Sequence, residues 1–214
     1  MEKRILCYGD SNTWGYIPES GERYAKDIRW TGRLQILLGN EYEVIEAGLN
    51  GRTSVFDDPI DPYHNGIKGL GYQLLTSKPI DAFVLSLGSN DMIHASANAS
   101  AKGIETLLYN VVNANIIYKG TSSIFTEEPR VLVIAPPPFN ENLDSKRPNA
   151  RIVEKYSEST KLAHLYREVS NSFNCLFIDA GEIITIPDTD CIHFSPENHK
   201  ELAEEVYRVL KGIV

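Results

Sequence analysis

The sequence of 214 residues lacks any long hydrophobic run. No stretch approaches the twenty or so apolar residues that a membrane-spanning helix needs, so we expect no membrane partner. The first residues, MEKRILC, also lack the length and the small-residue cleavage site of a signal peptide. We therefore expect the mature chain to begin at Met1.

Cysteine is scarce as well. The three cysteines, Cys7, Cys175 and Cys191, lie far apart and show no metal-ligand spacing. An odd number of distant cysteines predicts reduced thiols and a cytoplasmic protein. We also expect no bound metal or other cofactor. Cys7 and Cys175 fall within apolar runs, where a free cysteine behaves as a small hydrophobic residue.

The chain has fewer basic residues than acidic residues. The chain carries 21 Lys and Arg residues against 29 Asp and Glu residues, which gives a formal net charge of −8, and its basic residues are scattered. Such a chain has no positive field to gather phosphates, so nucleic acid is excluded as an expected partner. With 42% hydrophobic residues the chain can bury one sizeable core, and we expect a single domain over residues 1–214.

Short apolar runs do recur, and they predict five strands. Most of these runs are continuously apolar rather than alternating, which is typical of parallel strands covered on both faces. The predicted strands cover residues 4–9, 42–48, 82–88, 131–136 and 175–181.

Helical periodicity appears between the apolar runs. Ser195 as N-cap and Pro196 at the first helical position mark the start of the last predicted helix. Strands that alternate with helices predict a three-layer α/β/α fold with a doubly wound, flavodoxin-like, five-stranded parallel sheet. The apolar stripes are Ile104, Leu107, Leu108, Val111 and Val112; Val153, Tyr156, Ala163, Tyr166, Val169 and Phe173; and Leu202, Val206, Val209, Leu210 and Ile213.

Polar residues follow the predicted strands. In an open parallel sheet, ligands bind beyond the carboxyl ends of the strands, so these residues are expected to converge on one site. They are Asp10, Ser11 and Asn12 after the first strand; Asn50, Gly51 and Arg52 after the second; Ser89, Asn90 and Asp91 after the third; PPPFNEN after the fourth; and Asp188, Asp190 and His193 after the fifth.

Two long segments, 57–71 and 136–150, are rich in Pro, Gly and Asn and are predicted to contain neither helix nor strand. They either wall a ligand pocket or are ordinary surface loops. The acidic group Asp57, Asp58 and Asp61 lacks the spacing, the Gly and the Glu of a calcium loop, so we interpret it as loop-stabilising.

A hydrolytic serine needs an imidazole to accept its proton and an acid to hold that imidazole. Ser11 is the candidate nucleophile. Asp-X-X-His occurs three times, as Asp61/His64, Asp91/His94 and Asp190/His193, and the spacing alone does not choose among them. Context favours His193, because it lies between the last strand and a capped helix.

Four blocks, GDSNTWG, AGLNGRT, LGSND and DCIHFS, resemble in this order the blocks of the SGNH hydrolases, also called GDSL esterases. RWTG, DDPIDP and a strand ending in PPP are similar to the small arylesterase and acyltransferase branch. The resemblance implies that Ser11 is the nucleophile, Asp190 and His193 are the acid and base, and the Ser11 N–H, the Gly51 N–H and the Asn90 amide form an oxyanion hole.

One departure is visible, because the family's Leu after Gly-Asp-Ser is Asn12 here, which changes the expected polarity of the pocket. The acyl pocket is expected to be lined by residues that flank the triad in sequence. Trp30 is a further candidate, although a tryptophan in such a position is more typical of a core or an interface. The expected lining residues are Asn12, Trp14, Phe139, Ile192 and Phe194.

These features predict a serine esterase that hydrolyses small, short-chain carboxylic esters, or transfers their acyl group, through an acyl-enzyme on Ser11. Two alternatives keep the triad, namely a carbohydrate acetyl esterase and an acyl thioesterase. A third is a flavodoxin-like module that binds a small ligand without turnover. Since relatives in the similar branch assemble, a homo-oligomer is left open.

Overall fold

The computed structural model describes residues 2–118, 120, 122–146 and 155–212. Within these residues, five strands form one sheet in the order β2-β1-β3-β4-β5, and each neighbouring pair is parallel. The predicted doubly wound, five-stranded parallel sheet is confirmed. The strands are β1 (Lys3–Gly9), β2 (Tyr42–Gly48), β3 (Ile80–Ser86), β4 (Phe125–Ala135) and β5 (Leu176–Asp179).

Helices connect the strands, and none in the described residues has the length and hydropathy of a membrane span. Short 3-10 turns cover Pro62–His64, Asn90–Ile93 and Ala180–Glu182. The helices are α1 (Ser11–Trp14), α2 (Trp30–Leu38), α3 (Gly66–Ser77), α4 (Ala97–Val112), α5 (Ala114–Ile117), α6 (Leu143–Lys146), α7 (Tyr156–Ser159), α8 (Leu162–Ser172) and α9 (Pro196–Leu210).

The predicted start of the last helix is confirmed. The Ser195 side chain accepts a hydrogen bond from the Asn198 N–H, and the Asn198 side chain accepts one from the Ser195 N–H. This reciprocal capping box satisfies two N–H groups that α9 itself cannot. Two members of the predicted apolar stripes, Val153 and Ile213, lie outside the described residues.

The core lies on both faces of the sheet. Ile5 and Cys7 of β1 pack in a buried cluster with α2 and α9, whereas Leu6 and Tyr8 pack in a second cluster with α3, α4 and α8. Successive side chains of a strand point to opposite faces, so a continuously apolar strand feeds two clusters at once. The result is the predicted three-layer arrangement.

The strand order sets the place of the site. Gly9 at the end of β1 pairs with Gly48 of β2 on one side and with Ser86 of β3 on the other. The carboxyl ends of these three strands are therefore level. In this strand order the connections leave β1 toward opposite faces at its boundary with β3, and such a switch point opens a crevice for ligands.

The loop prediction for residues 57–71 is wrong beyond Asn65. Helix α3 begins at Gly66 because the Asn65 side chain accepts a hydrogen bond from the Ile67 N–H and caps the helix. Gly71 is required by packing, since a Cβ there would lie 2.6 Å from the Tyr118 ring. The prediction for the segment 136–150 is wrong at Leu143–Lys146, which form the short helix α6, and residues 147–150 lie outside the described residues.

Strand β4 begins earlier than its apolar run predicts. After the buried Phe125, its first residues, TEEPR, are mostly polar and contain Pro129. They extend past β5, and the pairing with β3 shifts register between Ile80 and Ala82, where Phe125 and Arg130 are the partners. A proline is tolerated at such an irregularity because no ladder hydrogen bond from its nitrogen is needed.

Candidate active site

Ser11 is placed by a tight turn at the end of β1. The Asp10 carboxylate accepts a hydrogen bond from the Asn12 N–H at 3.0 Å, and the Asp10 carbonyl accepts from the N–H groups of Thr13 and Trp14. These bonds start α1 with Ser11 as its first residue. In the part of the chain that the structure describes, the Ser11 N–H has no acceptor and stays free to donate to a ligand.

Helix α1 lies directly against the end of β2. A Cβ on Gly48 would lie 2.2 Å from the Trp14 nitrogen, so only glycine permits this approach. The close packing brings α1 against the end of β2, and Gly51 lies in the turn that follows this strand. Ser11 itself is 7% exposed, so its hydroxyl faces a nearly closed environment.

Three side chains form a hydrogen-bonded chain at this position. The Ser11 Oγ lies 2.9 Å from His193 Nε2, and His193 Nδ1 lies 2.5 Å from Asp190 Oδ2. Because an ionised carboxylate only accepts, Nδ1 carries the proton and Nε2 is left as the acceptor for the Ser11 hydroxyl. This arrangement gives a serine hydroxyl, a general base and an orienting acid in one line.

Asp190 also fixes the backbone around His193. Its Oδ1 accepts hydrogen bonds from the N–H groups of Ile192 at 3.0 Å and His193 at 2.9 Å. Burial raises the pKa of this carboxyl, but the bonds from the His193 ring and from the two N–H groups outweigh burial and lower the pKa to about 2. Asp190 is therefore a carboxylate at neutral pH.

The second Asp-X-X-His pair does not form a side-chain pair. Asp91 is fully buried and accepts from the Ser54 N–H, the Ser54 hydroxyl and the Ser100 hydroxyl. Burial raises the Asp91 pKa to about 6, against the opposing effect of the Ser100 and Ser54 bonds. His94 instead stacks on the Phe56 ring, with centroids 6.4 Å apart.

The first pair does form, but next to Gly51 rather than at Ser11. His64 Nε2 lies 3.3 Å from Asp61 Oδ2, and a Cβ on Gly51 would lie 2.6 Å from the His64 Cε1. Among the described residues, Asp190/His193 is thus the one pair that reaches the Ser11 hydroxyl. The acidic residues Asp57, Asp58 and Asp61 accept hydrogen bonds that hold their own loop, in line with the interpretation from sequence.

Gly51 lies in the turn after β2 and Asn90 begins the 3-10 turn after β3, and one hydrogen bond joins the two turns. Gly51 has a φ of 76°, a left-handed conformation that favours glycine. The Asn90 amide donates to the Arg52 carbonyl at 3.0 Å, which leaves its second N–H for another acceptor. The Arg52 guanidinium in turn donates to the Gly9 and Ala47 carbonyls, so this turn is tied to the ends of β1 and β2.

Comparison with known proteins identifies the family. Residues 7–200 match the GDSL-like lipase/acylhydrolase family. The chain belongs to this family. No curated protein sequence matches it significantly.

Solved structures agree with this assignment. An aryl esterase from M. smegmatis is 34% identical with a TM-score of 0.89, over 99% of this chain and 100% of that chain. A carbohydrate acetylesterase from Sinorhizobium meliloti is 31% identical with a TM-score of 0.90, over 100% of both chains. A lipase/acylhydrolase from Enterococcus faecalis, at 22% identity and a TM-score of 0.67, shows the fold alone. The chain is thus a carboxylic ester hydrolase of the SGNH type.

The pocket residues expected for this esterase fall into two groups. Phe139 and Phe194 are buried in the two core clusters, at 4% and 3% exposure. Trp14 and Ile192 are half-buried, and the Arg23 guanidinium covers the Trp14 ring at 5.3 Å. Their roles in a pocket stay predictions.

The Asn12 side chain faces protein backbone. It accepts from the Phe194 N–H at 3.0 Å and lies 3.5 Å from the Ile192 carbonyl. Trp30 lies in the core as expected, with no exposed area.

Tyr16 was not singled out from the sequence. Its ring lies against the His193 imidazole of this esterase, with centroids 4.4 Å apart. The approach depends on Gly15, which ends α1 with a φ of 89° and turns the chain back. An aromatic residue directly after a glycine that ends such a short helix is the signal that could have found it.

Proposed function

We propose that the protein hydrolyses small, short-chain carboxylic esters, or transfers their acyl group, through a covalent acyl-enzyme on Ser11. The single observation that carries the proposal is the chain from the Ser11 hydroxyl to His193 at 2.9 Å and from His193 to the Asp190 carboxylate at 2.5 Å. A serine in this setting can lose its proton to the imidazole as it attacks.

In the acylation step, His193 Nε2 takes the hydroxyl proton while the Ser11 Oγ forms a bond to the ester carbonyl carbon. The tetrahedral intermediate then breaks its bond to the alcohol oxygen, which receives the proton from His193. Asp190 holds the imidazole in the required tautomer and stabilises its charged form. The products of this step are the free alcohol and an ester on Ser11.

The developing negative charge on the carbonyl oxygen needs fixed donors. We assign this role to the Ser11 N–H, the Gly51 N–H and the second N–H of the Asn90 amide. Donors already held in place cost no reorganisation in the transition state, which is why such sites are effective. Support comes from the bond between Asn90 and the Arg52 carbonyl, because it ties Asn90 to the turn that holds Gly51.

In the deacylation step, a water molecule attacks the acyl carbon while His193 accepts its proton. The bond to the Ser11 Oγ breaks, the proton returns to Ser11, and the carboxylic acid leaves. An acceptor alcohol in place of water gives a new ester, so the same residues serve hydrolysis and acyl transfer. Neither route uses a cofactor.

The names of the relatives support a small acyl group. One is an aryl esterase, a name that specifies the alcohol part, and two from Sinorhizobium meliloti are carbohydrate acetylesterases, a name that specifies acetyl as the acyl part. An acetylated sugar is therefore the second candidate substrate. Parallel assays with aryl acetates, acetyl-xylan and an acyl-CoA separate the ester, sugar and thioester alternatives. Family membership removes the alternative of a binding module without turnover.

Fluorophosphonate labelling followed by peptide mapping tests the proposal. We expect the label on Ser11, and we expect Ser11→Ala to lose both labelling and turnover of p-nitrophenyl acetate. Ser170→Ala is the matched control, since Ser170 is a buried serine whose hydroxyl donates to the Tyr166 carbonyl within α8, and it should keep both. A label on another serine, or normal turnover in Ser11→Ala, would show that the nucleophile is wrongly assigned.

A further inference from the structure

The side chain of Asn12 holds the backbone on both sides of His193. Its Oδ1 accepts from the Phe194 N–H at 3.0 Å, and its Nδ2 donates to the Ile192 carbonyl across a longer 3.5 Å. The two backbone groups belong to the residues immediately before and after the candidate base. Asn12 as a whole is 6% exposed, so water does not readily replace these hydrogen bonds.

The segment that carries His193 needs such support. Residues 183–195 contain no helix or strand, so no regular ladder of hydrogen bonds fixes them. Cys191 within this segment has a φ of 69°, which is unfavourable for a residue other than glycine. On its other side the segment is held by the Asn140 N–H, which donates to the Cys191 carbonyl at 3.1 Å.

Asn12 is itself fixed relative to the nucleophile. It follows Ser11 directly in α1, and its own N–H donates to the Asp10 carboxylate. A displacement of the His193 backbone relative to α1 would therefore break the bonds to Asn12. The side chain joins the element that carries the hydroxyl to the segment that carries the imidazole, 182 positions further along the chain.

We propose that Asn12 is a positioning residue that holds His193 at hydrogen-bonding distance from Ser11. This role rests on the proposed esterase function and adds a residue to it. Asn12 acts through the backbone of Ile192 and Phe194 and touches no reacting atom. It raises the fraction of molecules in which Nε2 is aligned to take the Ser11 proton, so its loss lowers kcat rather than substrate affinity.

Asn12→Leu and Asn12→Ala test this role. Leucine has a similar shape without a polar atom and is the residue that the resemblance places here in relatives, and alanine removes any risk of overpacking. Loss of the main hydrogen bond should lower kcat for p-nitrophenyl acetate roughly three- to tenfold, with KM within about twofold of wild type. Thr13→Val is the matched control, because the neighbouring Thr13 hydroxyl is buried without a partner among the described residues.

A spectroscopic readout separates positioning from a general loss of stability. The proton that His193 Nδ1 donates to Asp190 should give a far-downfield resonance, which should broaden or disappear in both Asn12 variants but persist in Thr13→Val. Unchanged kcat, or a raised KM with unchanged kcat, would contradict the positioning role. Equal losses in Thr13→Val would also contradict it.

Fluorophosphonate labelling of the wild type distinguishes a failure of the Asn12 proposal from a failure of the proposed esterase function. If fluorophosphonate labels Ser11 and the Asn12 variants keep the wild-type kcat, the positioning role is wrong and the esterase mechanism stands. If Ser11 is not labelled in the wild type, both proposals fail together.

Discussion

The Ser11 Oγ and the His193 Nε2 lie 2.9 Å apart although 182 positions separate them in the chain. Ser11 follows β1 inside the sheet, whereas His193 follows β5 at its edge. Three strand spacings separate β1 from β5, a distance of roughly 14 Å. Residues 183–195 span this distance. On the way they pass Asn140, which follows β4 and whose side chain donates a hydrogen bond to the Ile186 carbonyl at 2.8 Å.

His193→Ala should lower kcat/KM for p-nitrophenyl acetate by roughly 10²- to 10⁴-fold, the usual contribution of a general base. The reason is that His193 is the imidazole bonded to the Ser11 hydroxyl. His94→Ala is the control, because His94 stacks on Phe56 and its preceding Asp91 is bonded to serines. Retained activity in His193→Ala together with loss in His94→Ala would reverse the assignment.

Asn90→Ala should lower kcat roughly 10²- to 10³-fold if the amide donates to the oxyanion. Asn90→Asp should be no better and is expected to be worse, since a carboxylate of the same shape lacks the donor and repels the developing charge. Both variants also lose the bond to the Arg52 carbonyl, so their thermal unfolding is measured alongside. An Asn90→Asp variant with near-normal kcat would exclude the amide as an oxyanion donor.

Gly51→Ala should destabilise the protein by two separable effects. The left-handed φ of 76° costs alanine about 1–2 kcal/mol. The contact of the new Cβ with the His64 ring adds about 1–3 kcal/mol.

A double-mutant cycle separates these two costs. Urea unfolding of Gly51→Ala, His64→Ala and the double variant should show that His64→Ala relieves the second cost and leaves the first. Strict additivity of the two single variants would mean that the His64 ring does not oppose the Cβ.

Much of the fold could be predicted because its signals are local. Continuous apolar runs marked the strands, with β2 matching to the residue at both ends, and Ser195 with Pro196 marked α9. The positions of Ser11, Gly51 and Asn90 just after strands that end at one level predict that they share a site, and the approach of Gly51 and Asn90 to Ser11 stays a prediction. The single domain, the cytoplasmic location and the homo-oligomer stay predictions.

Other features depend on contacts between distant residues and left no local signal. Helix α3 forms in a glycine-rich segment because Gly71 fits against Tyr118 and Asn65 supplies a cap. Asn12 appeared as a change in pocket polarity, since only the fold shows that its amide meets the backbone of the His193 segment. Tyr16 approaches His193 only after α1 and the final loop are both in place.

His199 makes a further prediction about stability and pH. It is fully buried, and its Nδ1 accepts from the Trp30 N–H at 3.3 Å. Burial, aided by the charges of Arg29 and Arg33, lowers its pKa from 6.5 to about 3. Between about pH 3 and about pH 6.5, His199 is therefore protonated in the unfolded chain but neutral in the folded chain. Its effect is to lower the free energy of unfolding as the pH falls through this range.

Two buried carboxyls act in the opposite direction. Burial raises the pKa of Asp10 and of Asp91 from 3.8 to about 6. Between these values the folded state binds protons that the unfolded state releases, so the two carboxyls lower the free energy of unfolding as the pH rises. The wild-type profile thus mixes opposing slopes, and only a difference between variants isolates His199.

His199→Gln should separate the histidine contribution from that of the carboxyls. Between about pH 4 and about pH 6.5, the unfolding free energy of the wild type minus that of the variant should rise with pH by up to about 1.4 kcal/mol per unit, and it should be flat above about pH 7.5. Urea unfolding at several pH values measures this difference. His164→Gln provides the comparison, because it makes the same replacement at an exposed histidine on α8 instead of a buried one. A flat difference for His199→Gln across the acid range would mean that His199 takes up its proton in the folded state, and its burial without charge would then be wrong.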